Sequence, residues 1–185
     1  MTGGAGEKGI RGMTVAPDKT GVGSGRDDWR TPPEFFAKID RLWHFDYDAF
    51  ASHDNALCAT YSTPDGTYEG WNWKRSHAQL SPLDGLTFSP GDGEPRRRFG
   101  NPPYSRGFIE QACQWFAESR EMFDISVLLI PANTDTRWWH EWVKPYATVY
   151  LLRGRIHFID PATGEPGGSP PGGSALAVYL PEFLR

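Results

Sequence analysis

The chain runs Arg97-Arg98-Phe99-Gly100 directly into Asn101-Pro102-Pro103-Tyr104 and then into a helical pattern. That junction constrains the fold more than any other stretch. The two consecutive prolines fix φ, remove two N–H donors and restrain Asn101 to extended geometry. Phe108, Ile109, Ala112, Cys113 and Phe116 then recur on one helical face. The stretch therefore reads as strand, loop, helix. Taken alone, Asn-Pro-Pro-Tyr also fits an ordinary proline-rich turn or a ligand for a proline-binding domain.

The rest of the chain repeats the alternation. Thr31-Pro32-Pro33-Glu34 reads as a helix start, with Thr31 as N-cap, Pro32 at the first helical position and Glu34 closing a capping box. Phe35, Phe36, Ile39, Leu42 and Trp43 form the apolar face of that helix. His44 to Asp48 reads as a short strand that ends in a loop. Asp124 to Ile130 is the candidate for a buried central strand. Thr134 to Val143 has a helical pattern with three tryptophans, Thr148 to Leu152 reads as a strand, and Ser174 to Leu180 as the last one. Residues 62–95 and 160–173 are long loops rich in Gly and Pro. The expected fold is α/β, with a mostly parallel sheet and helices on both faces. A ligand then belongs at the carboxyl ends of the strands, where Asn101 falls.

With 185 residues, one domain is expected: residues 1–25 a flexible Gly-rich tail, residues 26–185 the folded unit. No segment reads as a signal peptide or membrane span. Cys58 and Cys113 lack metal-ligand spacing, which points to structural thiols in a reducing cytoplasm. The formal net charge of −4 argues against coating nucleic acid by bulk charge, but it leaves room for a local basic surface.

Several blocks in fixed order carry a resemblance: Asp28-Trp29-Arg30-Thr31-Pro32; Phe45 to Ser52 followed by Asn55-Ala56; Asn101 to Ser105; Leu128 to Ala132 with Thr134 to Thr136; Arg153 to Phe158; and Ser174 to Val178. Together they resemble phage-type DNA N6-adenine methyltransferases, a Dam-like family dependent on S-adenosylmethionine. The resemblance implies a compact Rossmann-like methyltransferase sheet, double-stranded DNA as partner and, for a phage-encoded chain, the host cytoplasm. It implies that Asn101, Pro102, Pro103 and Tyr104 form the catalytic loop. A planar exocyclic amine is a poor nucleophile, because its lone pair is delocalised into the ring. Accepting both its hydrogens, on the Asn101 side-chain carbonyl and the Pro102 main-chain carbonyl, would aim that lone pair at a sulfonium methyl. Tyr104 would stack on a base flipped out of the duplex. Cofactor contacts are implied at Trp29, Thr31, Pro32, Asp48, Ala49, Ser52, Asn55 and Asn101. No metal is implied.

The chain departs from the common pattern after its first strand. Ala49-Phe50-Ala51-Ser52 stands where many methyltransferases carry a Gly-x-Gly turn. An acidic ribose ligand is also hard to name; Asp65 and Asp84 qualify by type alone. Arg97 and Arg98, with Arg96, sit just before the loop, where they read either as phosphate contacts or as a solvated charge cluster. Arg106, Arg153 and Arg155 are further candidates for DNA. Arg153, Arg155 and His157 would share one face of an extended segment, opposite Ile156 and Phe158. Trp71 and Trp73 read as folding the 62–95 loop onto the domain. Two other functions fit the same residues. One is methylation of another planar amine, cytosine N4 or a glutamine amide. The other is a degenerate fold that only binds DNA or protein.

Overall fold

The computed structural model describes residues 29–62, 96–105, 107–168 and 170–184. Their elements follow in the order α1 (Pro33–Trp43), β1 (Tyr47–Asp48), β2 (Thr60–Tyr61), β3 (Arg97–Gly100), α2 (Phe108–Glu118), β4 (Ile125–Pro131), a π-helical turn (Trp139–Val143), β5 (Ala147–Leu151) and β6 (Ser174–Tyr179). The strands make one sheet in the order β2-β1-β3-β4-β6-β5. The β2, β1, β3 and β4 neighbours pair in parallel, while β6 pairs antiparallel with both β4 and β5. Five strands therefore point one way and β6 alone is reversed.

At the centre of the sheet, β4 and β6 are buried on both faces, as the unbroken apolar run in β4 requires. Successive strand side chains point to opposite faces. Val127 and Leu129 of β4, with Leu176 and Val178 of β6, pack with Phe36 and Ile39 of α1. Leu128 and Ile130, with Ala175, Ala177 and Tyr179, pack with Ile109, Cys113 and Phe116 of α2 and with Trp138, Trp139 and Val143 at the π-helical turn. The α/β sheet with helices on both faces forms as the sequence pattern anticipates.

Several local expectations shift, each for a physical reason. Helix α1 begins at Pro33, with Pro32 rather than Thr31 in the cap position and no side-chain cap. The Pro32 carbonyl accepts from the amides of Phe35 and Phe36. Thr31 is instead buried. The first strand shrinks to two residues because His44 takes a left-handed conformation (φ 52°) to stop α1, and the Phe45 amide donates to the Asp40 carboxylate. Between residues 134 and 143 the helical pattern yields only a π-helical turn led in at 137–138. From Arg153 to Phe158 the side chains alternate, with Ile156 and Phe158 buried and Arg155 and His157 exposed, but no strand ladder forms. The tail, Asp65, Trp71, Trp73, Asp84 and Arg106 lie outside the described residues.

The arginine cluster is the largest correction. Strands β1, β3 and β4 are parallel, so Arg96 and Arg97 lie at the amino edge of the sheet. Arg97 is about 13 Å of strand from Asn101, and Arg96 one residue farther, at ~3.3 Å per residue. Arg96 pairs with Asp124 at 2.6 Å, and Arg97 donates to the Trp43 carbonyl at 2.7 Å. Arg98 is fully buried. Its guanidinium carbon lies 3.7 Å from the Phe116 ring centroid and 4.0 Å from that of Phe123, and it donates to the hydroxyls of Ser126 and Ser119. Neither Arg97 nor Arg98 is placed to reach a phosphate beside the loop.

Burial without a carboxylate pulls the Arg98 guanidinium down to about 9, so it still carries its charge at neutral pH. The aromatic cage and two hydroxyls stand in for an anion. Arg98→Ala opens a cavity among Trp115, Phe116 and Phe123 and is expected to cost about 2–5 kcal/mol. Arg98→Met fills the same space without a buried charge and should stay within about 1.5 kcal/mol of wild type. Urea unfolding at neutral pH checks both.

Candidate active site

The chain leaves β1 toward β2 on one side, and β3 leads to β4 on the other. Strand order therefore reverses between β1 and β3, and a crevice opens beyond their carboxyl ends. A cavity of about 300 Å³ occupies that position. Asp48, the last residue of β1, and Asn101, the first after β3, are both on its wall, with Phe99, Phe50 and Leu57 as apolar surface between.

Asp48 is almost fully buried, yet two amides reach it. Leu57 donates to one carboxylate oxygen at 3.1 Å and Phe50 to the other at 3.4 Å. Desolvation outweighs both and raises its pKa from 3.8 to about 6. The Phe50 bond ties the chain back to Asp48 at the Ala49-Phe50-Ala51-Ser52 segment, where the Gly-x-Gly is missing. Ala49 is buried in the core, and Phe50 and Ala51 are on the cavity wall. Beyond it the Asn55 side chain accepts from the Ser52 amide at 2.6 Å, and Ser52 donates to Asp54 at 2.6 Å. Asp54 forms an ion pair with Arg30.

On the opposite wall, Gly100 brings β3 so close to its neighbours that a Cβ there would meet Phe50 at 2.8 Å and Phe116 at 3.0 Å. Asn101 follows with both ends of its amide engaged. Its Nδ2 donates to the Trp29 carbonyl at 3.3 Å, and the Tyr104 hydroxyl donates to its Oδ1 at 3.0 Å. The same hydroxyl lies 3.2 Å from the Leu129 carbonyl. Burial pushes the Tyr104 hydroxyl well above its ordinary range, so it stays a neutral donor. Its ring meets Phe158 edge-on at 6.0 Å and does not line the cavity. The ring expected to stack on a base is instead turned inward.

A strap closes the rim. Arg30 exchanges backbone bonds with Ile159 in both directions, at 3.0 and 2.9 Å. A Cβ on Gly167 would fall inside the Trp29 ring, so the chain passes against that indole at this position only because the residue is glycine. The loop also contributes Pro161 to the cavity wall. Arg155 donates to the carbonyls of Pro170 and Gly172 in this loop, and Arg153 is exposed.

Six of the eight residues expected to meet a cofactor, Trp29, Thr31, Asp48, Ser52, Asn55 and Asn101, come together on this wall. Pro32 and Ala49 do not. The first caps α1, and the second is buried in the core. Of the catalytic loop, Asn101 and Pro103 line the cavity, and Pro102 is buried beside it. Arg30, Phe50, Ala51, Leu57, Phe99 and Pro161 also line it and carried no sequence expectation. Arg30 stood in plain view between Trp29 and Thr31, and Phe99 stands two residues before Asn101.

Residues 19–83 and 89–183 match the family model described as DNA N-6-adenine-methyltransferase (Dam). The Escherichia coli (strain K12) protein named "Putative methyltransferase YfdM" is 35% identical over 79 residues, 42% of this chain and 71% of that protein. A solved dimethyladenosine transferase from Plasmodium falciparum aligns at 15% identity with a TM-score of 0.39, over 84% of this chain and 65% of that one. At that score the likeness adds nothing to the fold already described.

Asp48 sets a stability test. Its carboxyl holds a proton more tightly folded than unfolded, so between pH 4 and 6 stability is lost as pH rises, and the cost persists above about 6. Asp48→Asn is expected to be more stable than wild type at pH 7 by up to about 3 kcal/mol. That difference should open between pH 4 and 6. Urea unfolding at successive pH values measures it, and equal stabilities at pH 7 would contradict the assignment.

Proposed function

The chain belongs to the Dam family of DNA N-6-adenine-methyltransferases, and from that premise we propose that it transfers a methyl group from S-adenosylmethionine to N6 of adenine in double-stranded DNA. The observation that carries this reading is the cavity at the strand-order reversal, with a buried carboxylate on one wall and the Asn101 amide on the other. Its size suits a compact ligand, at the lower end of the ~300–1,000 Å³ usual for small-molecule sites. Its walls suit a molecule that is apolar in part and cationic in part: Phe50, Leu57 and Phe99 offer surface, and Asp48 offers charge. When bound, the cofactor supplies a methyl group activated on a positively charged sulfur.

The protein's part is positioning. Asp48 is ionised above about pH 6, and a cation brought beside it extends that range downward. Trp29 and Tyr104 grip the two ends of the Asn101 amide, so its carbonyl oxygen has one defined direction. That oxygen has a second lone pair free to accept a hydrogen of the target amine. The adenine must leave the base stack to reach it. Direct attack by the amine fits the surroundings. Burial raises the Cys113 thiol to about 12, and the Tyr104 hydroxyl higher still, so neither serves as nucleophile or base at neutral pH. We assign base recognition to the 160–173 loop, which touches the cavity through Pro161 and is clasped by Arg155. The exposed Arg153 is a phosphate contact in this reading.

Transfer of tritium from labelled S-adenosylmethionine to unmethylated DNA, followed by digestion to nucleosides, tests the proposal. Label is expected in N6-methyladenine. Asn101→Ala should lower the rate about 10²-fold or more. Tyr104→Phe keeps the ring and loses the grip on Asn101, so kcat should fall about tenfold with little change in KM for the cofactor. Label in N4-methylcytosine or in protein would replace this reading with the alternative amines. Folded wild type that transfers no label would favour a binding module.

A further inference from the structure

We propose that Arg30 is the cofactor's carboxylate ligand, released from Asp54 when the cofactor binds; this rests on the reading of the cavity as an S-adenosylmethionine site. The amino-acid end of that cofactor is a zwitterion, an ammonium and a carboxylate on one carbon. Among the described residues lining the cavity, Asp48 has a carboxylate well below the rim and Arg30 carries the one guanidinium. The wall thus presents one charge of each sign to a ligand that carries one of each.

The position of Arg30 fits a grip that changes partner. Its backbone is held on both sides by Ile159, so the root of the side chain is stationary. Its head is engaged by Asp54, whose side chain is 67% exposed, against 29% for Arg30. Ion pairs this exposed contribute little to stability. Asp54 also loses little when Arg30 departs, since it keeps the Ser52 hydroxyl at 2.6 Å. A carboxylate delivered inside the cavity meets the same guanidinium in drier surroundings, where paired N–H donors bind it more strongly. Arg30 exchanges one carboxylate partner for another, and Asp54 stays in place on the Ser52 hydroxyl.

Calorimetric titration of the full chain with S-adenosylmethionine and with its decarboxylated analogue isolates the carboxylate, since the analogue keeps the ammonium and the sulfonium. Wild type is expected to prefer the intact cofactor by about tenfold or more. Arg30→Gln should lose that factor for the intact cofactor and bind the analogue as wild type does, which also shows that the variant is folded. Asp54→Asn, freed of the competing carboxylate, should bind the intact cofactor at least as tightly as wild type. Equal weakening toward both ligands in Arg30→Gln would make Arg30 a clamp on the 51–57 loop and overturn the proposal. So would unchanged binding of both ligands. Wild type that binds neither ligand rejects the cofactor site itself, a result distinct from either.

Discussion

The pairing of β1 with β3 is the constraint on which the rest depends. The two strands are about fifty residues apart in sequence, yet they lie side by side with Tyr47 opposite Arg98 and Asp48 opposite Phe99. The Asp46 carboxylate secures the register by accepting from the amides of Arg96 and Arg97. With that register set, Asp48 and Asn101 must emerge at the same edge. A slip of one residue would turn Asp48 to the other face of the sheet. The crevice between them exists because the chain departs in opposite directions from these two strands.

Two charged groups are buried within this frame, and they are treated differently. Arg98 is fully enclosed by aromatic rings and serine hydroxyls, away from the cavity. It joins β3 to α2 and β4 and has no chemical task in the reading advanced above. Asp48 is buried at the cavity and is only partly compensated by two amides. A carboxylate left short of partners destabilises the empty fold and favours whatever cation arrives. The buried acid thus links the stability of the fold to its ligand, an arrangement in which function and stability oppose each other.

Motifs that act through backbone geometry were legible in the sequence. The paired prolines ended β3 where expected, and the apolar period of Phe108 to Phe116 placed α2. The continuous apolar run of β4 meant burial on both faces, and its alternate residues divide between the two cores. Side-chain destinations were less legible. Thr31 looked like a helix cap because Thr-Pro-Pro-Glu fits that pattern, but a proline carbonyl did the work and Thr31 went to the cavity. The arginine run looked like a phosphate patch because three adjacent charges suggest a surface. Strand alternation sent its last member, Arg98, inward, and parallel pairing put its start at the wrong edge. Tyr104 looked like a stacking platform, and Phe158, Asn101 and Leu129 drew it inward.

By itself the sequence determined the alternation of strands and helices, the two-sided burial of the central strand and the strand–loop–helix unit at Asn101. Each depends on patterns within a few residues: proline's fixed φ and the period of apolar positions. Only the tertiary structure decided which residues share the cavity. Trp29, Asp48, Asn101 and Pro161 come from four separate segments. Whether they meet depends on strand order, register and the close contact of Gly167 with Trp29, and those are set by long-range packing that no local pattern encodes.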